Sequence, residues 1–282
     1  MANTARVPGS PGTLVFSHAN GFPAGTYGLL FERWRALGFK VLFVPRYGHD
    51  PAYPVTDNWP RLRDQLLALI KSQSPGEAVH LVGHSLGGYV SLLAASRQPT
   101  AVRSVILLDS PVVAGWRAHG LQVFKATGLA KRISPGRVSS RRRWQWPSQA
   151  EALRHLASKA VFARWDPRVL ADYVHSGTES DPDAPAEGES PQAVRLSFKR
   201  EIETTLYNTL PHNLDSLLRT YPVRAPVTFI GGTRSDEVHQ VGLEATRRIC
   251  HNRLEWIAGT HLFPMEHPIE TAELVAKLLR KY

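Results

Sequence analysis

Residues 79–90 read VHLVGHSLGGYV. An apolar run passes into Gly83-His84-Ser85-Leu86-Gly87-Gly88, so one serine stands between glycines. Gly83, Ser85 and Gly87 fit the pattern G-x-S-x-G. Its three fixed positions recur by chance roughly once in ten chains of this size, so the pentapeptide alone carries little. The surroundings carry more. Apolar or near-apolar residues precede it and a helical pattern follows over residues 86–96, the strand–turn–helix setting that pushes a serine out at the carboxyl end of a sheet. The flanking glycines have no Cβ, so the two backbone arms can close up and the serine can take a strained conformation. Two blander readings compete: a Gly-rich helix start with an ordinary serine, and a phosphate-binding loop. The second lacks its marks, since neither G-x-x-x-x-G-K-[ST] nor G-x-G-x-x-G occurs at this point.

Outward from this stretch the chain keeps a regular beat. LVFS (14–17), KVLFV (40–44), VHLV (79–82) and SVILL (104–108) read as buried strands. Helical patterns separate them: residues 27–37, stopped by Gly38, and a stretch capped by Asp57 or Asn58 with Pro60 in its first turn. Strand, helix, strand predicts a parallel sheet covered on both faces. The beat stops after Pro111 and resumes with VTFI (227–230), a helix near 238–249, LEWI (254–257) and a closing helix from Pro268. Residues 1–111 and 222–282 are thus expected to form one α/β core, and 112–221 a mainly helical insertion over one edge.

Composition narrows the class. Apolar residues make up 43% and charged residues 21% of 282 residues, enough to bury a large single core. One cysteine, Cys250, excludes an internal disulfide and suits a reducing compartment. The N-terminal MANTARVPGSPG shows no apolar signal region, and no uncharged apolar run approaches the roughly 18 residues of a membrane span. A cytoplasmic location is expected. The net charge of +10 admits an anionic partner, although a basic solvated surface is the favoured reading. No nucleic-acid-binding module is recognisable.

A serine hydroxyl is a poor nucleophile at neutral pH. It needs a base, and a third group to orient that base. His261, in WIAGTHLFPMEHP, stands just beyond the strand 254–257. Asp236, in FIGGTRSDEV, stands beyond the strand 227–230, and the order Ser85, Asp236, His261 is that of an elbow serine with its partners. Asp109, ending VILLDSP, and Glu237 are the competing acids; Asp109 reads equally as a turn residue at the start of the insertion. Of the twelve histidines, His267 reads as a helix-start residue before Pro268, His212 as part of the insertion, and His84 as fixed beside the serine and pointing elsewhere.

The elbow and the late G-T-H-x-x-P-x-E-x-P stretch resemble the α/β-hydrolase superfamily, in its capped members. The resemblance implies an α/β-hydrolase fold, Ser85 as nucleophile, His261 as base and Asp236 as acid. It also implies an oxyanion hole made by the Leu86 amide and an amide from the loop after an early strand. SHANGFPAG (17–25) resembles the family's His-Gly-x-Pro loop with two extra residues, Ala19 and Asn20. Counting from His18 suggests Asn20; counting from Gly21 suggests Phe22. The sheet is expected to be trimmed to about six parallel strands, because only about a dozen residues precede the first.

The implied activity is cleavage of a small-molecule carboxylic ester through an acyl-enzyme, without metal or organic cofactor. A carbon–carbon bond hydrolase or a thioesterase would use the same triad. A non-catalytic binding module on the same scaffold is the alternative of another class. In the insertion, Trp116, Phe124, Trp144, Trp146, Phe162, Trp165 and Tyr173 could line an acyl pocket or form a small core of their own, the second being favoured. Lys131, Arg132, Arg137, Arg141, Arg142 and Arg143 form the densest basic run, a contact for a phosphate-bearing substrate or a solvated face, the second being favoured.

Overall fold

The computed structural model describes residues 11–115, 143–183 and 193–282. Six strands form one wholly parallel sheet: β1 (Thr13–Ser17), β2 (Lys40–Phe43), β3 (Val79–His84), β4 (Val102–Leu108), β8 (Val227–Gly232) and β9 (Leu254–Ile257), in the order β2-β1-β3-β4-β8-β9. β1, β3 and β8 are buried along their whole length, which is why they read as unbroken apolar runs rather than as alternations.

Alternate strand residues feed two separate cores. Leu14, Phe16, Val82, Ile106 and Leu108 face α1 (Gly28–Ala36) and the closing helix α11 (Pro268–Leu279). Trp34 of α1 is fully buried there and donates from Nε1 to the Ala272 carbonyl of α11 at 3.0 Å. Val15, Leu81, Val105 and Leu107 face α2 (Pro60–Gln73) and α3 (Leu86–Arg97). α3 is buried on all sides from Leu86 to Ala95, so its apolar residues show no helical stripe. α2 starts where Pro60 allows, but no side chain caps it: Trp59 holds the cap position in a left-handed conformation, φ 59°, in place of the expected Asp57 or Asn58.

From β1 the chain steps to β2 on one side and returns to β3 on the other. The carboxyl ends of β1 and β3 therefore diverge into a crevice, the place where open parallel sheets bind ligands. The loop 17–25 and Ser85 both leave the sheet there.

The insertion leaves β4 and rejoins at β8. Its described part holds α4 (Gln149–Ala157), α5 (Pro167–Gly177), α6 (Arg200–Asn208) and α7 (Leu214–Thr220). It also holds a small antiparallel sheet, β5 (Gln145–Trp146), β6 (Thr178–Ser180) and β7 (Val194–Leu196), ordered β5-β7-β6. Strands of two and three residues are too short to leave a periodic signature. After β8 the expected single helix is two, α8 (Asp236–Val241) and α9 (Glu244–Cys250), parted at Gly242 with φ 75°. A short α10 (Phe263–Glu266) precedes α11. No helix among the described residues is long and apolar enough to cross a membrane.

Candidate active site

The elbow is built by steric exclusion. Ser85 has φ 53° and ψ −115°, a strained setting for a residue with a side chain, and its amide donates to the Leu108 carbonyl of β4 at 2.9 Å. A Cβ on Gly83 would lie 2.2 Å from the Gly87 carbonyl oxygen, one on Gly87 1.9 Å from the Ser17 oxygen, and one on Gly88 2.2 Å from Ser110 Oγ. Each glycine is thus a place where backbone touches backbone or a neighbouring side chain. From Val79 to Ala95 every residue is buried except Ser85, which is partly exposed.

His261 follows β9 in a loop tied at its root. The Glu266 carboxylate accepts from the Thr260 amide at 2.9 Å and from Thr260 Oγ1 at 2.7 Å. The acid that meets His261 is Asp109: Nδ1 and Oδ2 are 2.7 Å apart. Asp109 is fully buried at the end of β4, with φ 43°. Its carboxylate also accepts from the Gly232 amide at 2.7 Å and from Ser235 Oγ at 2.5 Å.

The geometry corrects the expectation that Asp236 meets the histidine. The reason is the start of α8. Ser235 takes the cap position, its Oγ accepting from the Val238 amide at 3.2 Å, and this turns Ser235 inward. Asp236, one residue on, is exposed in the first turn, where an acid complements the helix dipole, and it makes no hydrogen bond or ion pair with His261. Glu237 reaches back to 3.6 Å from His261 Nδ1, with its side chain 46% exposed.

A carboxylate at Nδ1 keeps the proton on that nitrogen and leaves the Nε2 lone pair as the acceptor. Burial alone would lower the His261 pKa. The Asp109 hydrogen bond and charge, with the Glu237 charge, outweigh it, and the value is raised. Asp109, Glu237 and His261 are the described His and acid residues with metal-ligand spacing, their ligating atoms lying within 4.8 Å of one another. The 2.7 Å contact is the length of a charge-assisted hydrogen bond, so the cluster reads as a proton-holding pair with a second carboxylate beside it.

The loop after β1 is also fixed. His18 is fully buried; Nδ1 donates to the Ala19 carbonyl at 2.8 Å and Nε2 accepts from the Tyr47 amide at 2.9 Å. Burial drives its pKa down to about 4. The Phe22 amide is used within the loop, donating to the Ala19 carbonyl at 3.2 Å. The amides of Asn20 and Leu86 have no acceptor among the described residues. Asn20 Nδ2 donates to the Glu203 carbonyl of α6 at 3.0 Å, and the Glu203 carboxyl lies against Gly21.

His84, beside the serine, turns its fully buried ring to Tyr27 and to the loop that carries His261. Its Nε2 lies 2.9 Å from the His261 carbonyl oxygen and its Nδ1 2.7 Å from the Tyr27 hydroxyl. Tyr27 and Ser235 are site neighbours that the sequence reading passed over. A serine directly before Asp-Glu at a helix start is the mark that could have singled out Ser235.

In the insertion, Phe162, Trp165 and Tyr173 pack on one another and on Phe22, with ring centroids 4.8–5.8 Å apart. Trp146 is buried and Trp144 packs against Arg200 at 4.9 Å. Trp116, Phe124, Lys131, Arg132, Arg137, Arg141 and Arg142 lie outside the described residues. Arg143 stands over Trp146 at 5.9 Å.

A model of the alpha/beta hydrolase family matches residues 14–274. The chain is similar to a monoglyceride lipase homolog of monkeypox virus, 37% identical over 110 residues that cover 36% of this chain and 40% of that protein. It is similar to the monoglyceride lipase of Rattus norvegicus, 32% identical over 143 residues that cover 47% of each. The matched stretches span less than half the length of these relatives. Among solved structures, E-2-(acetamidomethylene)succinate hydrolase has a TM-score of 0.72 at 20% identity, covering 95% of this chain and 91% of that one. The thioesterase domain from the curacin biosynthetic pathway has a TM-score of 0.67 at 18% identity, covering 97% and 92%. At such identities the structural likeness concerns the fold.

Proposed function

The chain belongs to the alpha/beta hydrolase family, and on that premise we propose that it is a serine hydrolase that cleaves a carboxylic ester through an acyl-enzyme. The observation that carries this reading is the His261 Nδ1 contact with buried Asp109 at 2.7 Å, beside a serine held at φ 53° between glycines where a Cβ would clash. Ser85 Oγ attacks the ester carbonyl while His261 Nε2 takes its proton. Asp109 holds the imidazole in the required tautomer and stabilises the imidazolium. Negative charge on the carbonyl oxygen is met by the amides of Leu86 and Asn20. Phe22 is the poorer candidate because its amide already has an acceptor. His261 then returns the proton to the leaving alcohol, which departs as the carbonyl re-forms. Water, deprotonated by His261, releases the acid and restores Ser85.

Residues 112–221 serve in this reading as a cap over the serine. The curated relatives bear the name monoglyceride lipase, which supports an ester as substrate. A thioester or a carbon–carbon bond next to a carbonyl would be cleaved by the same groups, so the substrate panel includes both.

The test is intact-mass labelling with a fluorophosphonate probe, followed by hydrolysis of p-nitrophenyl esters of increasing acyl length, a thioester and a vinylogous diketone. Wild type is expected to gain one adduct, Ser85→Ala none, and the ester series to turn over fastest. A folded wild type that gains no adduct removes the reading.

A further inference from the structure

Ala19, Tyr27, His84 and His261 form one hydrogen-bonded chain through the interior. The Ala19 amide meets the Tyr27 hydroxyl at 3.2 Å, that hydroxyl meets His84 Nδ1 at 2.7 Å, and His84 Nε2 meets the His261 carbonyl oxygen at 2.9 Å. Both ends are backbone groups with only one possible role: an amide can only donate and a carbonyl can only accept. The direction of every bond follows. Ala19 N–H donates to Tyr27 Oη, Tyr27 O–H donates to His84 Nδ1, and His84 Nε2–H donates to the His261 carbonyl.

The chain joins three loops that the sheet holds apart. Ala19 adjoins Asn20 in the loop after β1, His84 adjoins Ser85 after β3, and His261 follows β9 on the far edge. We infer that Tyr27 and His84 are positioning residues, which hold the oxyanion loop and the base loop at fixed distances from the serine. The inference rests on the hydrolase reading above.

Tyr27 is itself rigidly placed. It is 1% exposed, with its ring 4.5 Å from Phe16. It ends a single 3-10 turn, Ala24–Tyr27, on which α5 of the insertion sits closely: a Cβ on Gly25 would lie 2.4 Å from Ser176 Cβ, and one on Gly28 2.5 Å from Asp172 Oδ2. The linkage therefore begins under the insertion and ends at the histidine. It also survives changes of pH. Burial holds the His84 pKa well below its usual value, with His261 adding to this, and burial pushes the Tyr27 phenol up. Neither link ionises in the neutral range, so the donor order is kept.

The test uses the full chain and Tyr27→Phe, which removes the middle hydroxyl and keeps the ring. Two quantities are read: the separate kcat and KM for an ester, and the ratio of rates on that ester and its thiono analogue, whose sulfur is a poor acceptor in an oxyanion hole. Tyr27→Phe is expected to lower kcat about tenfold to thirtyfold, with KM within about threefold, and to shrink the oxygen-to-sulfur preference. A merely structural role would leave that preference alone. His84→Gln keeps an N–H for the His261 carbonyl and is expected to retain about tenfold more activity than His84→Ala.

The inference is overturned by a Tyr27→Phe protein with wild-type kcat and oxygen-to-sulfur ratio. Should Tyr27→Phe not fold, equal rates in the two His84 variants overturn it. A wild type that neither labels nor turns over esters removes the hydrolase reading instead. In that case the nitrogen-15 shifts of His84 decide the linkage: a protonated Nε2 is expected, and a protonated Nδ1 refutes it.

Discussion

Asp109 Oδ2 and His261 Nδ1 lie 2.7 Å apart across 152 positions of sequence. Asp109 directly follows β4 and His261 follows β9, so β8 lies between their strands, and it closes the gap by giving the Gly232 amide to the same carboxylate. Asp109→Asn is expected to lower kcat/KM by about a thousandfold or more, because the amide favours the wrong imidazole tautomer. Asp236→Asn is expected to stay within about twofold, as a surface change outside the site. Ester kinetics on the two variants decide which acid serves the histidine; the reverse order would return the role to Asp236.

The pH profile follows from the raised His261 pKa. Only neutral His261 can accept the serine proton, so the acid limb of kcat/KM is expected above 6.5. Glu237 contributes to that rise through its charge at 3.6 Å. Removing the charge in Glu237→Gln makes the imidazolium less favourable, so the pKa falls and the limb moves to lower pH. The shift is modest, because Glu237 is about half exposed and water screens it. A limb that stayed in place or moved upward would mean that Glu237 does not act on the ring.

Gly87→Ala should be far more damaging than its size suggests. The new methyl would lie 1.9 Å from the Ser17 carbonyl oxygen, which is backbone and cannot swing aside. A loss of about 3 kcal/mol or more is expected in urea unfolding. Gly76→Ala is the control: nothing lies within 4 Å, but φ is 77°, so the cost should be only the 1–2 kcal/mol or so of a left-handed residue with a side chain. Equal losses at the two sites would contradict the close approach of α3 to β1.

Acid should destabilise the chain before most carboxylates titrate. His18 is lowered to about 4 by burial, and His84 is also well below its usual value. Between 6.5 and 4 the unfolded chain binds a proton at each that the folded chain refuses, so stability falls as pH falls. His18 alone accounts for about 3 kcal/mol across that window. His261, with its raised value, offsets part of it. Urea midpoints at pH 7 and pH 5 check the sign, and a midpoint no lower at pH 5 would show that these histidines accept protons in the folded chain.

The sheet was legible because β1, β3 and β8 are buried along their whole length and β4 nearly so, which leaves apolar runs that need no knowledge of their neighbours. The elbow was legible because Gly83, Gly87 and Gly88 record steric contacts that admit no other residue. The Asp109–His261 contact was not, because one residue of helix register separates an inward Ser235 from an outward Asp236, and nothing local to Asp109 says what approaches it from β9. The partners of His84 were not legible for a related reason. On a strand buried on both faces, alternation does not say which side holds a partner, and its partners Tyr27 and His261 are 57 and 177 positions away.

Because Asp109 stands at the foot of the insertion, the insertion divides the chemistry as well as the chain. Ser85, the amides of Asn20 and Leu86, and Asp109 all precede it; His261 alone follows. On the proposed mechanism, a single proteolytic cut inside residues 112–221 would yield one fragment with Ser85 and Asp109 and another with His261, each inert alone. The seam between them is the parallel ladder from Val105↔Val227 to Leu108↔Ile230, with the Asp109–His261 contact at its end. Activity in such a nicked protein would thus report fragment complementation, since the pairing of β4 with β8 that rebuilds the sheet also rejoins Asp109 to His261.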